Sequence, residues 1–346
     1  MNNNQKKNYT QKKWYMEWLR VISMTAVVFT HIGATAHTDF PDTYYANIGG
    51  VVLQGIVYLS HFAVPIFFMI TGALLLNPGK EITIGKIMKK YVLRYSIVLL
   101  IFGWGYAYLE MLFISKRFVW ADLGISFVNM LQGHSWAHMW YLYTLIGMLL
   151  VLPLLRAFIR NYEHKDVLFC LLFLFLFNSI FPIISELTGF KIGIVFPISS
   201  VYILYMLLGY VLDSKSFDIK GIWPIILEIF LAGSLIITAY YNNMYGFELP
   251  IGAYYSPVII MYSVILFCLV KSAHLKENRI VDFLSSVSFG VYIVHMIWIN
   301  IAFKLFHIDP VIPTPLTGIG IAVIALVLSV LTTVIMKRIP LINRIL

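Results

Sequence analysis

The sequence contains few charged residues. Asp, Glu, Lys and Arg make up 12% of its 346 residues, whereas hydrophobic residues make up 60% and the mean hydropathy is +0.84. So little charge cannot cover the surface of a water-soluble domain, and that class of protein is excluded. The composition predicts an all-α polytopic membrane protein, a bundle of transmembrane helices packed against one another.

Cysteine is also scarce, and two kinds of segment are missing. Cys170 and Cys268 lie in apolar runs and match no disulfide or metal-ligand spacing, so we expect packing roles and no metal centre. No small-residue cleavage site follows the basic residues 1–13, which favours an uncleaved first span. No linker divides the chain, so we expect one domain over residues 1–346 without an appended soluble module.

Ten apolar runs have the length of a transmembrane helix. The predicted spans are residues 14–34, 48–76, 92–114, 136–155, 167–187, 194–212, 222–241, 253–270, 283–303 and 316–336. The second run is long enough to tilt or to break near Pro65. Residues 120–133 predict a short interfacial helix. The bundle is therefore expected over residues 14–336, between short tails at 1–13 and 337–346.

Lys and Arg are distributed unevenly between the two sides of this bundle. The side that carries both termini has 20 of them and the opposite loops have 4. Because cytoplasmic loops are enriched in Lys and Arg, both termini are predicted to be cytoplasmic, in a multi-pass protein of a cell membrane. The net charge of +9 is explained by this topology and by contact with anionic membrane lipids, without a nucleic-acid partner.

The first predicted span, which also contains Glu17 near its start, carries the ionisable residues Arg20 and His31. Eleven residues are about three helical turns plus about 20°, so both side chains share one face, about 16 Å apart along the axis. Ionisable groups inside a membrane are costly and usually functional. The alternatives are that Arg20 snorkels to the headgroups and pairs with Glu17, and that His31 bonds a backbone carbonyl at the interface.

The predicted topology separates the other polar residues into two groups. The cytoplasmic group is cationic and consists of Lys86, Lys90 and Arg94. The outer group consists of Glu110, His138 and His295. This arrangement predicts an anionic ligand admitted from the cytosol and a proton-transfer site near the outer surface. Each group also has an alternative explanation. The cations can be an ordinary positive-inside cluster, and His138 can belong to the aromatic belt. His295 can be a packing histidine, and Glu110 can make an interhelical hydrogen bond.

Four sequence blocks carry a resemblance to a known family. They are MEWLR at 16–20 with TH at 30–31, VPIFFMITG at 64–72, HMWYL at 138–142 and SFGVYIVH at 288–295. Their type and order resemble the acyltransferase-3 family of integral membrane acyltransferases. Three departures are Glu17-Trp18 before Leu19-Arg20, Thr71 in place of a usual Ser, and the spacing of Lys90 and Arg94 before the third span.

The resemblance implies about ten transmembrane helices and transfer of an acyl group, often acetyl, from cytosolic acyl-CoA to an acceptor at the outer face. The implied acceptors are hydroxyls of cell-envelope glycans or lipid-linked sugars, and the implied location is a bacterial cytoplasmic membrane. Acyl-CoA is then a donor substrate and not a permanently bound cofactor. Arg20 and His31 match the family's functional pair position by position.

The chemistry of these residues suits such a reaction. A neutral imidazole can take the proton of a sugar hydroxyl, so His31 is the expected general base. The other candidates near the chemistry are Glu110, His138 and His295. The candidates for holding the donor phosphates are Arg20, Glu17, Lys86, Lys90 and Arg94, with Glu17 orienting Arg20.

The main alternative function is a secondary transporter, although no matching pair of interrupted helices is evident. A sensor or interaction protein would normally need a soluble module.

Overall fold

The computed structural model describes residues 12–194, 196–198, 200–214, 219 and 221–346. In this part of the chain all regular structure is helical. The helices are α1 Trp14–Asp39, α2 Pro41–Tyr44, α3 Ile48–Ser60, α4 Ala63–Leu75, α5 Ile84–Ser115, α6 Ala121–Leu131, α7 Ala137–Asn161, α8 His164–Thr188, α9 Val201–Ser214, α10 Trp223–Tyr245, α11 Pro257–Ser272, α12 Arg279–Leu305, α13 Leu316–Met336 and α14 Pro340–Ile345.

Among the described residues, nine helices are long and apolar enough to cross a membrane, with α3 and α4 together forming one of them. The predicted polytopic helical bundle is confirmed. In the described part of the sixth predicted span, residues 194–212, the helical residues belong to the shorter helix α9, whose 14 residues rise about 21 Å. The predicted N-terminal tail up to residue 11, and Lys215 and Lys220 of the charge count, lie outside the described residues.

The second span is interrupted, as its length and Pro65 predict. Helix α3 ends at Ser60, a turn occupies His61 and Phe62, and α4 starts at Ala63. Proline has no N–H and is tolerated in the first turn of a helix, so the break falls just before it. The His61 Nδ1 donates to the Gly252 carbonyl at 2.6 Å, which ties this break to the segment before α11. The predicted helix at 120–133 is present as α6.

Helices α4 and α9 approach each other very closely, and glycines make this possible. A Cβ atom on Gly72 would lie 1.9 Å from the Met206 carbonyl oxygen, and one on Gly209 would lie 1.9 Å from that of Met69. Any larger residue would collide with backbone at these two positions. Small residues at a helix interface allow the backbone contact and packing that hold membrane helices together. This contact holds the short helix α9 in the bundle.

Helix α1 lies at the centre of the bundle and packs against α3, α4, α12 and α13. The two residues before it are tied to other elements, because Lys12 pairs with Asp282 of α12 and Lys13 pairs with Asp213 of α9. Arg94 of α5 binds carbonyls of the C-terminal residues. Both ends of the described chain therefore lie at one end of the bundle, called the inner end below. The assignment of that end to the cytoplasm remains a prediction from the Lys and Arg count.

Candidate active site

A cavity of about 740 Å³ runs through the bundle beside α1. Its inner end is lined by Arg20, Lys80, Lys86 and Arg94. Its other end is lined by His31 and His138, together with aromatic residues from α7 and the segment before α11. The middle is mostly apolar, with Val27, Val64, Ile70, Leu145 and Leu149 in its walls. One cavity thus joins a cationic end to a histidine end.

The cavity follows one face of α1. Arg20, Val27, Thr30 and His31 all line it, which confirms that Arg20 and His31 share a face. The Thr30 hydroxyl donates to the Ala26 carbonyl of its own helix at 3.0 Å, so this polar group is satisfied inside the helix. The separation of the two functional candidates is therefore set by helix geometry, about 16 Å along the axis.

Arg20 is held by a buried carboxylate. Its Nη1 donates to Glu17 Oε1 at 2.8 Å, and the second oxygen of Glu17 accepts a hydrogen bond from the Ser285 hydroxyl of α12. Glu17 is buried, whereas the Arg20 side chain keeps 27% of its surface exposed. The pair considered as an alternative is thus present, but it orients Arg20 within the cavity wall. The remaining guanidinium donors are available to an anionic ligand.

The start of α5 supplies two of the cations, in an unusual register. Residues Ile87–Val92 form a π turn, in which side chains about five positions apart share a face. Lys86, Tyr91 and Arg94 consequently line the cavity. Lys90 is exposed and lies over the Tyr91 ring, 5.7 Å from its centroid, so the structure does not bring it to the cavity. In an ordinary α-helix, Lys86, Lys90 and Arg94 would lie on the same face.

A further cation comes from the loop at 76–83, which sequence analysis did not include among the site residues. Lys80 lines the cavity and its Nζ donates to the Leu74 carbonyl at 3.1 Å. Burial, and then the nearby charge of Lys13, lower the pKa of Lys80. Glu81 is the only acidic side chain in the described cavity lining, against four cationic side chains. The inner end is therefore an anion-binding environment, and in the sequence Lys80 is just one of many positive-inside lysines.

Three histidines from three helices meet at the other end. The ring centroids of His31 and His295 lie 5.0 Å apart, those of His138 and His295 5.1 Å, and those of His31 and His138 6.1 Å. His138 and His295 are buried, and His31 is partly exposed and faces the cavity together with His138. Sequence analysis named all three residues, and the structure brings them together.

Backbone carbonyls assign the tautomers of the two buried histidines. The His295 Nδ1 lies 2.7 Å from the Tyr292 carbonyl oxygen, and the His138 Nε2 lies 3.2 Å from that of Ile293. A carbonyl only accepts, so these two nitrogens carry the hydrogen in the neutral rings. The opposite nitrogens, His295 Nε2 and His138 Nδ1, are buried and have no hydrogen-bond partner within the described chain. Both present lone pairs in a cluster that contains His31.

Two tyrosines support the position of His138. The Tyr292 hydroxyl donates to the His138 carbonyl at 2.8 Å, and the Tyr106 hydroxyl donates to the Ile293 carbonyl, also at 2.8 Å. The Ile293 carbonyl therefore accepts from both Tyr106 and His138. Neither tyrosine was among the predicted site residues, although Tyr292 lies in the SFGVYIVH block.

Glu110 has partners other than a histidine. It accepts from the Trp136 Nε1 at 2.8 Å and from the Lys304 Nζ at 2.8 Å. Trp136 in turn stacks on Tyr106, with ring centroids 4.4 Å apart. Glu110 thus joins α5, α12 and the segment before α7, and its link to the histidine cluster runs through Trp136 and Tyr106. In the described structure Glu110 makes no hydrogen bond to a histidine, and Lys304 is the ion-pair partner of its carboxylate.

The three clustered histidines are not arranged as a metal site. Among the described residues, no group of three or more His, Cys, Asp or Glu side chains is placed to hold a metal ion. Cys268 is buried and Cys170 is half-buried, and both are free thiols. This end of the cavity presents imidazole, hydroxyl and indole groups.

The fold is that of a membrane-spanning helical bundle, and it encloses one cavity with cationic side chains at its inner end and a histidine cluster at its other end. A family model described as an acyltransferase domain, that of acyltransferase-3, matches residues 13–336. The match covers nearly the whole chain, so the protein belongs to the acyltransferase-3 family and is a membrane acyltransferase. No curated protein and no solved structure matches the chain.

Proposed function

We propose that this membrane acyltransferase moves an acyl group, acetyl in the first instance, from acyl-CoA to a hydroxyl of a cell-envelope glycan or lipid-linked sugar. One observation carries the proposal: a single cavity joins four cations at its inner end to the histidine cluster at its other end. The cell membrane in question is the bacterial cytoplasmic membrane, with the inner end of the bundle facing the cytosol.

The donor would enter from the inner end. Coenzyme A carries a pyrophosphate and a 3′-phosphate on a slim pantetheine arm. Arg20, Lys80, Lys86 and Arg94 supply charge-assisted hydrogen bonds for the phosphates, and guanidinium forks match phosphate oxygens. The apolar middle of the cavity suits the pantetheine arm and the acyl group. This orientation brings the thioester along α1 from Arg20 toward His31.

His31 is the proposed general base. The acceptor hydroxyl attacks the thioester carbonyl carbon as its proton passes to a ring nitrogen of His31. The carbon–sulfur bond of the tetrahedral intermediate then breaks, and the coenzyme A thiolate takes that proton back. The products are an ester and free coenzyme A, so no other reactant is required. General-base catalysis of this kind contributes typically about 10²–10⁴-fold.

His138 and His295 would act on His31 and not on the substrate directly. Their unpartnered nitrogens are acceptors, so either one favours an N–H on the facing nitrogen of His31. The other His31 nitrogen is then left as a lone pair for the hydroxyl proton. This is the orienting role that a carboxylate plays beside histidine in hydrolase triads. Here two neutral imidazoles in an apolar surrounding would take that role.

The test uses the purified protein in lipid nanodiscs with acetyl-CoA and isolated envelope glycans. Release of free coenzyme A thiol should depend on both the glycan and His31, and mass spectrometry should find the acyl ester on the glycan. Envelope glycans from cells with and without the protein would identify the acceptor. Uptake of a solute into vesicles without thiol release would contradict the proposal and favour the transporter alternative.

A further inference from the structure

Arg156 of α7 is a buried cation outside the cavity lining. The residue is only 4% exposed. Its Nη1 donates to the Leu75 carbonyl and its Nη2 to the Lys80 carbonyl. Both partners are backbone carbonyls, and neither bond is to a carboxylate of the described chain. A buried charge without a counter-ion is costly, so its bonds to these carbonyls need a reason.

The two carbonyls mark the ends of one segment. Leu75 is the last residue of α4, and a carbonyl at the end of a helix has no partner inside that helix. Lys80 lies in the loop at 76–83, beyond a turn in which the Gly79 N–H donates to Asn77 Oδ1 at 2.9 Å. The guanidinium fork of Arg156 thus bridges the helix end and the loop, and fixes the distance between them.

This loop forms part of the cavity wall. Lys80, Glu81 and Ile82 line the inner end beside Arg20 and Arg94. The Lys80 Nζ bonds back to the Leu74 carbonyl, next to the Leu75 carbonyl that Arg156 binds. The loop backbone and the Lys80 ammonium are therefore held at neighbouring points. Without Arg156, the loop would keep its internal turn, the hydrogen bond from Lys80 to the Leu74 carbonyl and the weaker contact from Arg160 described below.

We propose that Arg156 is a positioning residue that holds the loop at 76–83 against the cavity, so that Lys80 can bind a phosphate group of the acyl donor. The inference rests on the proposed function for the identity of that phosphate. Arg156 itself lies outside the cavity lining. Its effect on the donor is exerted through the loop and not by contact.

Arg160 provides a matched control. It lies one helical turn further along α7, is exposed, and its Nη2 reaches the same Lys80 carbonyl at 3.4 Å. Removing Arg160 deletes the same charge at nearly the same place and only the weakest of the contacts to the loop. A difference between the two variants therefore reports the buried fork and not the net charge of the inner end.

The first arm of the experiment needs no ligand. Hydrogen–deuterium exchange of the peptide covering 76–83 would be compared in wild type, Arg156→Met and Arg160→Met in nanodiscs. We expect faster exchange of this loop in Arg156→Met, with the rest of α7 unchanged and Arg160→Met close to wild type. Unchanged exchange in a folded Arg156→Met would overturn the proposal. If Arg156→Met does not fold, Arg156→Lys and Arg156→Gln, which keep a donor, are compared in the same way.

The second arm measures binding of coenzyme A and of pantetheine, which lacks the nucleotide phosphates. Arg156→Met should weaken coenzyme A binding by roughly tenfold or more, the cost of losing one charge-assisted hydrogen bond, and leave pantetheine binding unchanged. In Lys80→Met the same loss should appear, and adding Arg156→Met to it should cost little more. Equal weakening for both ligands, or full additivity, would contradict a role through Lys80. Absence of coenzyme A binding in wild type would instead contradict the proposed function, and the exchange arm would still decide whether Arg156 holds the loop.

Discussion

His295 lies against His31 with ring centroids 5.0 Å apart, and its buried Nε2 has no hydrogen-bond partner in the described part of the chain. The Nδ1 of the same ring is fixed by the Tyr292 carbonyl, so Nε2 is a lone-pair acceptor. A residue that does not line the cavity thus presents an acceptor beside one that does. This relationship separates the proposed base, His31, from a residue that acts through it.

Replacing His31 by Ala should abolish most acyl transfer while leaving the protein folded in the membrane. Loss of a general base should lower the rate by at least roughly 10²-fold, or about 2.7 kcal/mol of transition-state stabilisation. The measurement is coenzyme A thiol release at saturating donor and matched protein levels. His61→Ala is the control, because His61 bonds the Gly252 carbonyl at the α3–α4 break. Equal rates in His31→Ala and wild type would remove His31 from the chemistry.

For His295, two substitutions separate its donor from its acceptor. Asn can place a donor near the position of Nδ1 but has no acceptor at Nε2, whereas Gln can place an oxygen near Nε2. We expect His295→Asn to lower kcat roughly tenfold, about 1.4 kcal/mol, with the KM for the donor unchanged, and His295→Gln to recover part of it. Steady-state kinetics measure both constants. If the two variants were equally slow, packing and not the acceptor nitrogen would explain the loss.

Arg20→Ala should weaken donor binding. Losing a charge-assisted hydrogen bond to phosphate costs about 1.5–3 kcal/mol, which corresponds to roughly 10- to 100-fold in affinity for acyl-CoA. Arg20→Lys should recover only part of this affinity, since a point charge replaces a bidentate fork. Direct binding of coenzyme A to the purified variants is the measurement. Exposed Arg338, outside the cavity lining, is the control; an affinity of Arg20→Ala equal to that of Arg338→Ala would leave Arg20 with a purely structural role.

Donor binding should depend on pH through Lys80. Burial lowers the pKa of this ammonium group, so its charge is lost at a lower pH than that of an exposed lysine. The charged form binds phosphate, and affinity is therefore retained below this pKa and falls as the pH rises through it. In Lys80→Arg the guanidinium stays charged, so the alkaline loss of coenzyme A affinity should disappear. The measurement is coenzyme A affinity of wild type and Lys80→Arg at several pH values between neutral and alkaline. If affinity fell equally with pH in both proteins, Lys80 would not be the group responsible.

The topology gives a further prediction. A reporter fused after Leu346 should be cytoplasmic, and a tag inserted near Asp39 should be external, because the end that carries both termini also carries the excess of Lys and Arg. Protease protection in intact cells and in inverted vesicles would measure both positions. An external C-terminus would reverse the direction from which the donor is proposed to enter.

Some of the site could be predicted from local sequence patterns. The placement of Arg20 and His31 on one face needs only the 3.6-residue period of a helix, and both residues line the cavity. The pairing of Glu17 with Arg20 follows from their spacing of three residues. The break before Pro65 follows from the missing N–H of proline. These are relationships within one element, where residue spacing determines geometry.

The rest of the site was decided by tertiary structure. Because of the π turn at Ile87–Val92, Tyr91 and not Lys90 lines the cavity wall. No residue pattern in that segment predicts this change of helical register. Lys304, on a different helix, forms an ion pair with Glu110. Arg156 binds the backbone of the loop that contains Lys80.

The sequence by itself determined the class of the protein, the positions of nine of its apolar helices and the separation of Arg20 from His31. Apolar run length and helical period are properties of one segment, and the charge asymmetry is a count along the chain, so none of the three depends on contacts between helices. Only the tertiary structure decided which side chains meet across helices, including the contact of His31 with His138 and His295. That contact depends on the rotation and depth of three packed helices, which interhelical packing sets and residue spacing does not.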